Sequence, residues 1–223
     1  MVGCMGRQRA FDYDRAIDRA TRLFWAKGYT NTSLRDLLAV MQIGEGSFYN
    51  SVKSKKHLYL ECLRHYNDTV TRRRWEALIA EPSVAQGVRA YFTAVLDDLD
   101  DPAVPNVCLM AASLSTDVLA ADDLRDYVVG EVQTLETALV GRLQHAAQTG
   151  QLPTDFDADT AAQVVVTYLQ GLFRVVRILN SRPQLERQIE VLLTGLGLKT
   201  GRTRARPVNV PAGRARPRRH RLP

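Results

Sequence analysis

Apolar residues recur at helical spacing along almost the whole chain, with little sustained strand-type alternation, so the pattern predicts an all-α protein of about nine helices. The first runs from about Tyr13 to Lys27, with Ile17, Ala20, Leu23 and Phe24 on its inner face and Gly28 ending it. The second sets Leu34, Leu37, Leu38 and Met41 on one face. Ser33 and Asp36 before it have the S-x-x-D spacing in which each side chain satisfies the other's free backbone N–H. Gln42-Ile43-Gly44 interrupts that helix, Gly44 being free to take a turn conformation closed to most residues. Gly46-Ser47-Phe48-Tyr49-Asn50 then begins a helix of about two turns. Ser54 caps a fourth helix reaching about Leu78, with Leu58, Cys62 and Tyr66 inward and Arg72, Arg73 and Arg74 complementing the dipole near its end. Further helices are predicted over about Ser83–Leu99, Val107–Leu119 and Asp123–Gln148, from Asp157 or Asp159 to near Asn180, and over Gln184–Leu196. Proline and glycine clusters separate them.

Length and composition place the chain among ordinary globular proteins: 223 residues, 45% hydrophobic and 24% charged, enough for one large or two small domains. Charge distribution says more than the net +6. Residues 1–56 carry 10 Lys/Arg against 5 Asp/Glu, residues 57–198 carry 11 against 19, and residues 199–223 carry 9 against none. The expected organisation is therefore a basic head over 1–56, an acidic helical body over 57–198 and a basic tail over 199–223. The tail has no apolar periodicity and is too polar to order itself; it either adds nonspecific affinity for phosphate or has no specific role. No apolar stretch marks a signal peptide at the start, and Met5, in MGRQRAFD, reads as a natural start as well as Met1 does. The most hydrophobic run, Val164 to Leu179, is too short for a bilayer and contains Gln170, Arg174 and Arg177, so no membrane association and a cytoplasmic setting are expected. Cys4, Cys62 and Cys108 form no C-x-x-C pair, and neither a disulfide framework, a metal site nor any cofactor is indicated.

The two short helices joined by a tight turn have the form of a helix-turn-helix, whose second helix enters the DNA major groove by its N-terminal end. Such a reader needs short donors and acceptors near base edges and other groups gripping phosphate on both sides. Gly46 lets backbone approach DNA, and the Ser47 hydroxyl is short enough to reach a base edge or phosphate. Thr32 and Ser33 can hydrogen-bond phosphate at a helix N-terminus. Lys53 and Lys56 add charge, while Phe48 and Leu58 face the module's own core. Each polar residue alone also reads as ordinary surface; the constellation within one helix-turn-helix points to DNA. Arg7 and Arg9 form a short basic arm that either enters the minor groove or is merely solvated.

The order TSLRDL, GEGSFYNSVKSK and a long helix, preceded by FDYDRAIDRATRLFWAKGYTNTS, resembles the N-terminal domain of the TetR family of bacterial one-component repressors over about residues 11–66. The rest resembles that family only in general, as a helical ligand-binding and dimerisation domain. The resemblance implies a homodimer on a double-stranded, pseudo-palindromic operator, released when a small molecule fills the second domain. It implies that Tyr49 contacts phosphate, that Asn50 contacts phosphate or a base, and that Lys55 matches the family's phosphate-binding lysine. Three positions depart from its pattern: Gln42 stands where a turn glycine is common, Gly44 where a Ser, Thr or Asn cap is common, and Val52 where Phe is usual.

The helix carrying Val164, Leu172 and Val175 is apolar nearly all round and has to be covered on more than one side. Leu185, Ile189, Leu192 and Leu196 form a narrower stripe on the last helix. Pairing both helices with their symmetry mates across a two-fold axis is the economical solution; the alternative is a monomer with the first of them as a central core helix. A pocket is expected among the body helices, lined by Tyr91, Phe92, Val95, Met110, Ser113, Leu114, Tyr127 and Tyr168, a mix suited to a hydrophobic or aromatic effector. Each of these is also a normal core residue. Cys108, at the start of VCLMA, has two readings: a thiol that senses electrophiles, as in relatives with a similar cysteine-leucine start, or a small buried packing residue. An enzyme is not indicated: there are four histidines, no G-x-S-x-G, no H-E-x-x-H and no P-loop. An architectural DNA-binding protein using its basic ends without an effector is the third class.

Overall fold

The fold follows from a computed structural model, which describes residues 12–199 apart from 103, 106, 177, 179 and 180. Arg7, Arg9, Cys4 and the basic tail lie outside the described residues. Among those described, all regular structure is helical.

Three helices make the head. In α1 (Tyr13–Lys27), the Asp12 carboxylate accepts from the Arg15 N–H and Gly28 closes the helix at φ 80°. In α2 (Leu34–Met41) the expected capping box is formed, both reciprocal Ser33–Asp36 bonds being 3.1 Å. The turn to α3 (Glu45–Val52) differs from the sequence expectation. Gly44 has an ordinary φ of −79° and serves as N-cap, while Gln42 takes the left-handed conformation at φ 59°. The turn thus places its positive φ where the family resemblance puts a glycine, and this chain fills that position with a residue for which the left-handed region costs roughly 1–2 kcal/mol. Ile17, Phe24, Leu37, Met41, Phe48, Val52 and Leu58 close the head's core.

The helix leaving the head is continuous but not uniform. It runs as α4 (Lys55–Tyr66), then as π-helical turns over Asn67–Thr71, then as α5 (Arg72–Ala80). Eight residues separate Tyr66 from Arg74, which in an unbroken α-helix turning roughly 100° per residue sets them about 80° apart. The i→i+5 turns absorb an extra residue and bring both onto the inner face. The arginine run therefore does more than complement a dipole: Arg74 is buried and its Nε lies 2.7 Å from Asp98, Arg73 pairs with the same carboxylate, and Arg72 pairs with Asp68.

The body continues with α6 (Val84–Asp100), capped by Ser83. Its Gly87 meets the end of α5 so closely that a Cβ there would fall 2.5 Å from the Leu78 carbonyl oxygen. The helix expected over Val107–Leu119 is instead two single turns, α7 (Leu109–Ala112) and α8 (Thr116–Leu119), broken where Ser113 turns its hydroxyl back to the Leu109 carbonyl at 2.7 Å. Then follow α9 (Asp122–Gln148), α10 (Ala158–Val175) and α11 (Arg182–Gly195), the last packed on α6 through the Arg182–Asp97 pair at 2.8 Å and an Arg89–Glu190 pair. No helix of the described residues is long and apolar enough to cross a membrane.

Candidate nucleic-acid interface and body cavity

The outer end of the head is built by α2, the turn and α3. Phe48 and Val52 point inward and are fully buried, so helical geometry turns Gly46, Ser47, Tyr49 and Asn50 outward. Tyr49 is 50% exposed although its ring leans edge-on against Phe48 at 5.5 Å. Lys53 is exposed at the end of α3, with φ 62°. Ser33 is exposed at the N-terminus of α2. Thr32 is a correction: it is fully buried and its hydroxyl donates to the Gly28 carbonyl at 2.7 Å, so its side chain closes the turn after α1 and offers no surface to a phosphate.

Lys55 is half-buried, its ammonium 4.5 Å from the centre of the Tyr29 ring. Loss of hydration lowers its pKa. Lys56 is held by a body carboxylate, Asp123, at 2.9 Å. Four further contacts among the described residues tie α1, its following loop and α4 to the α7–α8 segment: Trp25 Nε1 donates to the Val107 carbonyl, Thr30 bonds Asp117, Tyr59 and Ser113 share a buried hydroxyl–hydroxyl bond of 2.7 Å, and the Tyr66 hydroxyl points at the Cys108 sulfur at 3.5 Å. Every one of them lands on or beside α7 and α8.

A cavity of about 330 Å³ lies between the π-helical turns, α6, α7, α9 and α10. Of the eight expected lining residues, Tyr91 and Met110 border it. Phe92 and Val95 pack into the core; Ser113 is spent on Tyr59 and the Leu109 carbonyl; Leu114 is half-buried elsewhere. Tyr127 carries the Arg64 guanidinium 5.7 Å above its ring, and Tyr168 borders a separate surface groove beside Gln188 and Val191. The wall also includes Trp75, Arg74, Cys108, Gln170 and Phe173, none of them expected as effector contacts except Cys108 in its thiol reading. Helical spacing marks inward faces but not which inward residues fail to meet, so these escaped notice. In the sequence the arginine run reads only as a complement to the helix dipole, and its spacing does not single out Arg74 as the buried member.

Arg74 is the electrostatic centre of that wall. Its side chain is 3% exposed, and it reaches Asp98, the Phe173 ring at 5.5 Å and, through Nη1, the Cys108 sulfur at 3.9 Å. Burial drives the phenol of Tyr91 up to about 12 and that of Tyr66 well above its ordinary value, so both hydroxyls stay protonated. Burial also pushes the Cys62 thiol up to about 12, far from the cavity on the head side of α4.

The expected seam residues divide. Leu172, Leu185 and Ile189 are buried within their own chain and are corrected to core, whereas Val164 and Val175 are exposed and Leu192 and Leu196 half-exposed. Val191 on α11, 74% exposed, and Ile178, between the two helices and 82% exposed, are outward apolar residues beyond the expected set.

Against known proteins, residues 16–62 match the family model of bacterial regulatory proteins, tetR family, and residues 85–192 match the tetracyclin repressor-like C-terminal domain. The chain is similar to the HTH-type transcriptional regulator YezE of Bacillus subtilis (strain 168), 27% identical over 196 residues, covering 86% of this chain and 100% of that one. It is also similar to the HTH-type transcriptional repressor ComR of Escherichia coli (strain K12), 27% identical over 168 residues, covering 75% and 80%. Among solved structures, a cysteine mutant of the TetR family transcriptional regulator CifR, complexed with 26 bp double-strand operator DNA, matches with a TM-score of 0.78 at 29% identity, covering 84% and 98%. With head and body each matched to their models, the chain belongs to the TetR family of DNA-binding transcriptional regulators.

Proposed function

We propose that the protein is a homodimeric repressor that reads a pseudo-palindromic duplex operator with α3 and leaves it when a small hydrophobic or aromatic molecule enters the body cavity. The observation that carries the reading is the outer face of α3, where Ser47, Tyr49 and Asn50 stand outward on a helix otherwise anchored by Phe48 and Val52. Gly46 agrees with it: a Cβ there would meet nothing within 4 Å, so the backbone at this end of α3 lies open to a closely approaching duplex. Ser33, Lys53 and Lys55 frame this face and supply phosphate grips on either side. The names of relatives favour repression, ComR being a repressor and the CifR structure an operator complex. Selection from random duplexes should enrich a two-fold symmetric sequence. On that sequence Tyr49→Ala should weaken binding at unchanged helicity, and Lys55→Ala should lower the salt slope by about 0.9 per half-site. No enrichment, or full binding by both variants, contradicts the reading.

A second reading is favoured by Cys108 itself, which borders the cavity with the Tyr66 hydroxyl and the Arg74 guanidinium beside its sulfur. Here the effector is a soft electrophile such as an α,β-unsaturated carbonyl. The sulfur adds to the β-carbon, the C=C pair moves to the α-carbon, and that carbon takes up the proton. Cys108→Ser should abolish release by such reagents; identical release by the variant discards this reading.

A further inference from the structure

At the start of α4 the Lys55 ammonium stands over an aromatic ring, and that ring belongs to a connected aromatic group. Tyr29, in the loop after α1, lies 4.8 Å from the Tyr59 ring and 6.3 Å from the Phe24 ring, with Phe24 and Tyr59 themselves 4.8 Å apart. Tyr59 is fixed by its bond to Ser113 at the end of α7, the segment that also carries Cys108 and Met110 of the cavity wall. A lysine stem free in water loses rotamer freedom when its ammonium is immobilised. A ring that already holds the ammonium removes part of that loss before DNA arrives. The ring occupies one side of the ammonium, and the remaining N–H donors stay available to an anion.

We propose that Tyr29 is a positioning residue for DNA binding: its ring holds the Lys55 ammonium in place for an operator phosphate, and Tyr59 and Ser113 tie that ring to the wall of the body cavity. This rests on the assignment of Lys55 as a phosphate grip. The shift of Lys55 by desolvation agrees with an ammonium sheltered by the ring on one side.

The test is a double-mutant cycle on the selected duplex, using full-length dimeric protein with helicity checked by circular dichroism. Tyr29→Leu should weaken binding about two- to fivefold per half-site. Tyr29→Phe, which keeps the π face, should bind as the parent does. In a Lys55→Ala background, Tyr29→Leu should add no further loss. Losses that multiply, or equal losses for the Leu and Phe variants, overturn the positioning role while leaving Lys55 as a phosphate grip. Parental binding by Lys55→Ala removes the grip itself and the proposal with it. A second measurement needs no substitution that disturbs the cluster: the ε-methylene protons of Lys55 in the free protein should resonate upfield of those of other lysines, under the ring current of Tyr29. Ordinary shifts for these protons overturn the proposal.

Discussion

Head and body solve the burial problem in opposite ways. The head closes on Phe24, Leu37, Phe48 and Leu58, and the polar side chains it buries among the described residues, Thr21 and Thr32, return their hydroxyls to backbone carbonyls one turn earlier. The body buries an ion pair, a thiol and tyrosine hydroxyls around a space its side chains do not fill. A well-packed unit holds one shape, which suits a surface that must meet a regular duplex. A core with buried polar groups and a void has alternative arrangements, and an occupant that prefers one of them shifts the balance. The π-helical turns stand between the two styles, aligning Tyr66 of the head-side helix with Arg74 on the cavity wall.

If the outward apolar strip of α10 and α11 is the dimer seam, Val164→Glu with Val191→Glu gives the largest effect. It places two carboxylates from each chain in a desolvated interface and should leave only monomers on sedimentation. A persisting dimer moves the seam elsewhere. Next comes Asp98→Asn, which strips Arg74 of its buried counter-charge and should cost about 3–5 kcal/mol in urea unfolding. A loss under 1 kcal/mol shows the pair to be solvated, and the contrast with the head fades.

Gly87→Ala should cost about 1–3 kcal/mol, because the new methyl meets backbone rather than a side chain able to move away. The smallest effect belongs to the head and has the opposite sign: Gln42→Gly relieves a left-handed residue and should stabilise by about 0.5–1 kcal/mol, read as a higher midpoint of thermal unfolding. Destabilisation there shows that the Gln42 side chain makes up for its backbone.

The head was legible in the sequence because its determinants are local. Ser33 and Asp36 are three residues apart, Gly28 sits at the helix end it terminates, and the spacing of Phe48 and Val52 fixes which side of α3 faces out. The long helices of the body were legible for the same reason. What escaped depends on distant meetings. Arg74 finds Asp98 and Cys108, 24 and 34 positions on, and Gly87 fits the Leu78 carbonyl; Thr32 is the exception, turning back only four positions to Gly28. The break in the helix expected over Val107–Leu119 comes from Ser113, whose hydroxyl is shared with Tyr59, 54 positions earlier in the chain. Leu172, Leu185 and Ile189 carry the same apolar signal as Val164 and Val191, and only packing separates those that face inward from those that face out.

The most direct test of the whole account is native mass spectrometry of the protein mixed with its selected duplex, at rising ionic strength and with Tyr49→Ala alongside. Two chains should bind one duplex as a unit, dissociate steeply as salt increases, and fail to assemble on DNA when Tyr49 is replaced. A single chain per duplex, a ladder of many chains on one duplex, or assembly indifferent to Tyr49 contradicts the claim that α3 of a symmetric pair reads the operator.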